Sequence, residues 1–293
     1  MKEKILCFGR SSHLTGILTY PEEVKAEYCV IYTNSGVVHK VGPNEINVRL
    51  SRALCTEGIA GFRFDSYGLG DSESLDDNNL SEDNKVSEIR EVIHEITKDT
   101  EISKFIIFGL CSSSTFALES LKKIEPIKGA IIADGTFNNE NEIKELLENA
   151  LISCKLRYYK KNAFKISRWR KIISGKSYFL KKEILLQIPG LLISRFKKMV
   201  ISEKTKQIPE KEIITLDFDH ITGKEKRLYL LFTEGDHMYD LFNLSLQKGF
   251  FRYSKNNYIK YEFLKNVDHT FTTHWSQIML ILKIKNWIKN EIV

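Results

Sequence analysis

Between residues 105 and 121 the chain reads FIIFGLCSSSTFALESL, and this stretch limits what the rest can fold into. Phe105 to Phe108 is a short continuous apolar run, the pattern of a strand buried on both faces. Gly109-Leu110-Cys111-Ser112-Ser113 then predicts a sharp turn, and Thr115 to Leu121 a helix. A nucleophile at the tip of such a strand–turn–helix sits in a strained backbone, with the chain crowded around it. The residues two before and two after it must therefore be small. Cys111 meets that condition, with Gly109 and Ser113 as its flanks. Ser112 would have Leu110 on one side; Ser113 would have Cys111 and Thr115, and no Gly. Cys111 is the expected nucleophile, in a Cys form of G-x-S-x-G with Ser in place of the second Gly. Free Cys is also among the most buried residue types, so the turn alone does not separate a reactive thiol from a packing one.

The chain around this turn alternates strands with helices. KILCFG (4–9) and HLTGILTY (13–20) predict two short strands joined through Arg10-Ser11-Ser12, and AEYCVIYT (26–33) a third. Asn34-Ser35-Gly36-Val37 is a turn, and residues 44–56 predict a helix. Gly61 to Phe64 is a fourth strand that runs into DSYGLGDSES. Residues 82–97 predict a helix with Val86, Ile89, Val92, Ile93 and Ile96 on one face. IKGAIIA (127–133) ends at Asp134, and RLYLLF (227–232) leads to Thr233-Glu234-Gly235-Asp236. Tyr258 to Leu264 precedes Asn266-Val267-Asp268-His269, and a last helix is expected over 276–289. This pattern predicts an α/β fold: a mostly parallel eight-stranded sheet with helices on both faces. Residues 1–137 and 224–293 form its core. A basic helical cap, residues 138–223, is inserted after the sixth strand.

The chemistry expected of a Cys at such a turn is acyl transfer, which needs a His base, an acid to orient it, and N–H donors for the oxyanion. Cys111, Asp236 and His269 follow in that order, each just past a strand. Asp134, after the sixth strand, is the alternative acid. The oxyanion donors are expected at Ser112 N–H and at one of Ser35, Gly36 or Val37. Asn34 beside that turn, and Arg168 and Arg170 in the cap, are the expected substrate-binding residues. Asp65, in D-x-x-G-x-G-x-S, reads as a structural turn near the site. No metal or cofactor is required.

Five cysteines without C-x-x-C spacing argue against a zinc site or a disulfide framework and suit a reducing compartment. The N-terminus has too short an apolar run for a signal peptide, and nothing approaches the ~20 residues of a membrane span. The expectation is a cytoplasmic protein. Residues 151–200 hold 14 Lys or Arg against the single acid Glu183, a net +13, so that the rest of a chain of net charge +6 carries −7. Three readings of this run stay open. It is a solvated surface, a dock for an anionic acyl carrier (CoA or acyl carrier protein), or a face for an anionic membrane. Nucleic acid is not expected, because the aromatics follow helical spacing and do not form a stacking platform.

With these residues in view, the chain resembles the α/β-hydrolase superfamily along nearly its whole length. It is most similar to the exosortase-system-associated hydrolases, whose elbow has the form G-L-C. The similar stretches are HLTGIL (13–18), RFDSYGLGDSES (63–74), FGLCSSSTFA (108–117), FTEGDH (232–237), VDHTF (267–271) and the basic run 157–178. The resemblance implies a Cys111, Asp236, His269 triad and a thioesterase, esterase or acyltransferase acting on a small acyl substrate. It supplies no substrate identity. At Asn34-Ser35-Gly36 the chain departs from the Gly pair usual in relatives, which leaves the second oxyanion donor open. A catalytically silent protein that binds an anionic partner or membrane through its cap is the rival reading.

Overall fold

A computed structural model describes residues 1–75, 82–135, 150–155, 157, 221–245 and 258–292. Most of the cap expected over 138–223 lies outside these residues, as do Arg168 and Arg170. The strands are β1 (Lys2–Phe8), β2 (Leu14–Tyr20), β3 (Tyr28–Tyr32), β4 (Ala60–Asp65), β5 (Lys104–Leu110), β6 (Ile127–Ala133), β7 (Arg227–Thr233) and β8 (Ile259–Leu264). They form one sheet in the order β1-β2-β4-β3-β5-β6-β7-β8. β2 runs antiparallel to β1 and to β4; every pairing from β4 through β8 is parallel.

The central strands are apolar at successive positions because both faces are covered. Along β5, Phe105 and Ile107 enter one core, while Ile106, Phe108 and Leu110 enter the other. The first core packs against α2 (Glu82–Asp99) through Val86, Ile89, Val92 and Ile96. It also packs against α3 (Ser114–Lys123) through Ala117, Leu118 and Leu121. The second packs against α1 (Ile46–Cys55) through Ile46, Leu50 and Leu54. A further helix, His274–Glu291, closes it through Leu280, Ile284, Trp287 and Ile288. At the sheet edge β1 stays largely exposed, and its Lys2, Glu3 and Lys4 discourage a further strand from pairing there.

The differences from the sequence reading have local causes. α1 begins at Ile46 and not at Asn44, because Asn44 and Glu45 take left-handed backbone conformations after Pro43. The helix Met238–Ser245, α4, carries little signal in the sequence: only eight residues long, it shows its apolar face just in Met238, Leu241 and Phe242. The closing helix is therefore α5. Lys226, buried ahead of β7, donates from Nζ to the carbonyls of Leu121 (2.6 Å) and Ile124 (2.8 Å). It thereby caps the C-terminal end of α3, the helix that carries the turn at Cys111. Burial pushes its pKa down to about 8. Among the described residues no helix is long and apolar enough to cross a membrane.

Candidate active site

Cys111 stands at the end of β5 with φ 59°, a left-handed conformation that a non-glycine residue rarely adopts. Its neighbours hold it there. Ser113 Oγ accepts the Leu110 N–H (2.9 Å) and donates to the Leu110 carbonyl (3.0 Å), and the Ser114 hydroxyl donates to the Cys111 carbonyl (2.6 Å). A Cβ on Gly109 would lie 2.9 Å from both Ala117 Cβ and the Ser113 carbonyl oxygen. This crowding requires a small residue two before Cys111. The thiol is half-buried, beside the start of α3.

The loops after β7 and β8 meet in front of it. The Gly235 N–H donates to the Val267 carbonyl (3.0 Å), and a Cβ on Gly235 would come within 2.9 Å of Asp268 Cα. Only a glycine lets these loops approach so closely, and the approach sets Asp236 against His269. Asp236 Oδ2 lies 2.8 Å from His269 Nδ1, and its Oδ1 accepts the Met238 N–H (2.9 Å). Asp134 reaches the same ring nitrogen from the end of β6, with its Oδ2 3.2 Å from Nδ1. Its carboxylate is buried and accepts the Thr233 N–H (2.6 Å) and hydroxyl (2.5 Å). Asp236, the acid expected from the sequence, and Asp134, the alternative, thus both touch His269. Asp268 turns away, onto Thr270 and Thr272.

These contacts set the charges. Hydrogen bonds to Asp134, Asp236 and Cys111 raise the His269 pKa to about 12. The His269 hydrogen bond lowers the Cys111 thiol, against an opposing effect of burial; the imidazolium charge and the Ser112 N–H also lower it. Burial pushes Asp134 upward. Burial acts the same way on Asp236, but His269 and the Met238 N–H more than offset it and leave this carboxyl below its usual value. The arrangement favours a thiolate–imidazolium pair backed by carboxylate. Donor atoms of Asp134, Asp236 and His269 lie within 4.8 Å of one another, a spacing a cation could share. A ring nitrogen holding a proton between two carboxylates, however, offers no lone pair to a metal.

The turn after β3 forms the other wall. The Gly36 N–H donates to Ser112 Oγ (2.9 Å), so of the expected donors it is Gly36 that meets the elbow; the Ser35 carbonyl accepts the Val38 N–H (3.1 Å) and closes the turn. Asn34 has a different use from the substrate contact expected of it. Its amide donates to the Val38 carbonyl (3.0 Å) and Asp65 Oδ1 (2.9 Å) and accepts the Ser66 N–H (2.9 Å). It is buried, and both ends of the amide serve the scaffold. Asp65 also accepts the Lys40 N–H (2.5 Å), Lys40 Nζ (2.8 Å) and the Asp71 N–H (3.1 Å). It ties the turn after β3 to the loop after β4, in keeping with the structural role expected of that motif.

No protein-family model matches the chain, nor does any curated protein. Solved structures do. An esterase from Pyrococcus furiosus superposes with a TM-score of 0.60 at 12% identity, covering 100% of this chain and 93% of that one. A proline iminopeptidase-related protein from Thermus thermophilus gives 0.53 at 15% identity, with 100% and 99% covered. The esterase domain of a Rhodothermus marinus protein gives 0.54 at 12% identity, with all of both chains covered. The chain has the α/β-hydrolase fold.

On the α/β-hydrolase fold, Cys111, Asp236 and His269 occupy the ends of β5, β7 and β8, at the carboxyl edge of the sheet. A further contact lies at this edge. Arg157 Nη2 donates to the Asp236 carbonyl (2.8 Å) and to Asp240 Oδ2 (2.8 Å), and its guanidinium lies over the rings of Phe263 and Tyr239. Nothing local distinguishes Arg157 from the other basic residues of its run. Only its position opposite the loop after β7 does.

Proposed function

We propose that the protein is an acyl-transfer enzyme, a thioesterase, esterase or acyltransferase, working through a Cys111–His269–Asp236 triad. The observation that carries this reading is His269, whose Nδ1 is held by the Asp236 carboxylate at 2.8 Å while its ring lowers the pKa of the Cys111 thiol. The Cys111 thiolate attacks the acyl carbonyl carbon, and the carbonyl π electrons move onto oxygen. The oxyanion collapses and expels the leaving group, which takes a proton from imidazolium His269. The acyl group is then a thioester on Cys111. Water or another acceptor gives a proton to His269 and attacks this thioester; collapse of the second oxyanion returns the thiolate. A thioester remains reactive towards amines and thiols, which favours thioester substrates or transfer to an acceptor. The Cys elbow also underlies our reading of kinship with the exosortase-system-associated hydrolases. Solved neighbours named as esterases make ester hydrolysis the first chemistry to assay.

The net charge of +13 on residues 151–200 supports an acyl donor borne by an anionic carrier, CoA or acyl carrier protein. An anionic membrane surface is the second partner that charge would suit. Free cysteines throughout fit a cytoplasmic setting. The test is a panel of p-nitrophenyl esters and acyl-CoAs, followed by turnover and intact-protein mass spectrometry. The expected result is turnover with one acyl adduct on Cys111, abolished in Cys111→Ala. A folded protein that turns over none of the panel and gains no adduct would favour the silent-binder reading.

A further inference from the structure

We infer that the side-chain hydroxyl of Ser112 is itself an oxyanion donor, relaying the Gly36 N–H to the developing charge. The inference rests on the acyl-transfer reading above. In the usual arrangement two main-chain N–H groups point at the oxyanion, one from the residue after the nucleophile and one from the turn after β3. Here the second is already engaged: the Gly36 N–H donates to Ser112 Oγ at 2.9 Å. Ser112 is exposed at the mouth of the site, and its own N–H is beside the Cys111 sulfur. A hydroxyl that accepts a hydrogen bond through a lone pair keeps its proton to donate, and that donation is strengthened by the bond it accepts. The N–H and O–H of one residue therefore flank the position where Sγ meets a carbonyl carbon. Gly36 is open on this side. A Cβ there would still be 3.9 Å from Ser112 Oγ, so the contact comes from the turn and is not forced by crowding. The relay moves no proton: the Ser112 O–H stays intact and orients its dipole at the oxygen.

The opposite role is also definite. If Ser112 Oγ merely occupies the Gly36 N–H until substrate displaces it, removing the hydroxyl would free a donor and raise turnover. The experiment compares Ser112→Ala and Ser112→Thr with the wild type, on an ester substrate and on iodoacetamide. Iodoacetamide alkylates Cys111 by displacement at a saturated carbon, with no oxyanion. The relay predicts that Ser112→Ala lowers kcat by about 10²-fold, the scale of losing one oxyanion donor. It predicts little change in KM, an unchanged alkylation rate, and recovery of kcat in Ser112→Thr. Turnover of Ser112→Ala equal to or above wild type, with alkylation intact, overturns the relay while leaving the nucleophile in place. If Ser112→Ala loses alkylation as well, Ser112→Thr decides: recovery of turnover supports the relay, and failure to recover overturns it. Wild-type protein that is not alkylated at Cys111 instead removes the acyl-transfer reading itself.

Discussion

Asp134 and Asp236, at the ends of adjacent strands, meet on one nitrogen of His269, at 3.2 and 2.8 Å. The two carboxylates have different surroundings. Asp134 is fully buried and braced by Thr233, whereas Asp236 sits in a loop that the Met238 N–H and Arg157 hold in place. A single acid orients the imidazole in most triads; here the loss of one leaves the other in contact.

The acids should therefore be partly redundant. Removing the only acid of a triad costs about 10⁴ in kcat. Asp236→Asn should cost clearly less than that, and Asp134→Asn less again. The double variant should approach the full loss, more than the two single losses predict together. Steady-state kinetics of the four proteins would check this. A full ~10⁴ loss in Asp236→Asn with no effect of Asp134→Asn would show that Asp134 serves only the scaffold.

Cys111 should react as a thiolate below the ordinary thiol range, since the imidazolium holds its pKa down. A free thiol titrates near ~8.5. Alkylation by iodoacetamide should thus persist as pH falls below that value, and disappear only when the pH drops through the lowered pKa. His269→Ala should return the profile towards an ordinary thiol and slow alkylation at pH 6 by at least about tenfold. Peptide mapping should place the adduct on Cys111 ahead of the exposed Cys7. An unchanged profile in His269→Ala would mean that the ion pair does not set the reactivity.

Arg157 should act on the acid without touching substrate. Arg157→Met keeps apolar contact with Tyr239 and Phe263 but loses the hydrogen bonds to the Asp236 carbonyl and Asp240. Misplacing a catalytic group by an ångström costs up to ~10²-fold. The expected result is a fall in kcat within that bound at nearly constant KM, with Arg157→Lys recovering part of it. Equal kcat in wild type and Arg157→Met would assign the residue to packing alone.

The basic run should govern which substrate arrives. Replacing Arg168, Arg170 and Lys171 with Gln should lower kcat/KM for an acyl-CoA and leave a small neutral ester almost unaffected. Added salt should reproduce the selectivity, since charges are screened over about 8 Å at physiological ionic strength. Flotation with anionic vesicles tests the membrane version. Equal responses of both substrates, with no vesicle binding, would make the run a solvated surface.

The sequence by itself determined the sheet and the sharp turn that carries Cys111. The apolar runs of β3, β5, β6 and β7 are local patterns, and burial on both faces marks them as inner strands of a covered sheet. Gly109 and Ser113 mark Cys111 because steric crowding at a sharp turn depends on residues two positions away. The order Cys111, Asp236, His269 follows from strands that come one after another along the chain. What only the tertiary structure decided lies between segments distant in sequence. Asp134 joins the site because β6 lies beside β7, where Thr233 N–H and hydroxyl hold a carboxylate from a residue 99 positions away. Asn34 braces the scaffold because Asp65 and Ser66 stand opposite it, and Gly36 meets Ser112 because β3 pairs with β5. Arg157 looks like any other residue of a basic run until the loop after β7 is set against it. A hydrogen bond depends on distances of tenths of an ångström between such segments, and lateral packing of the strands, not residue spacing, sets those distances.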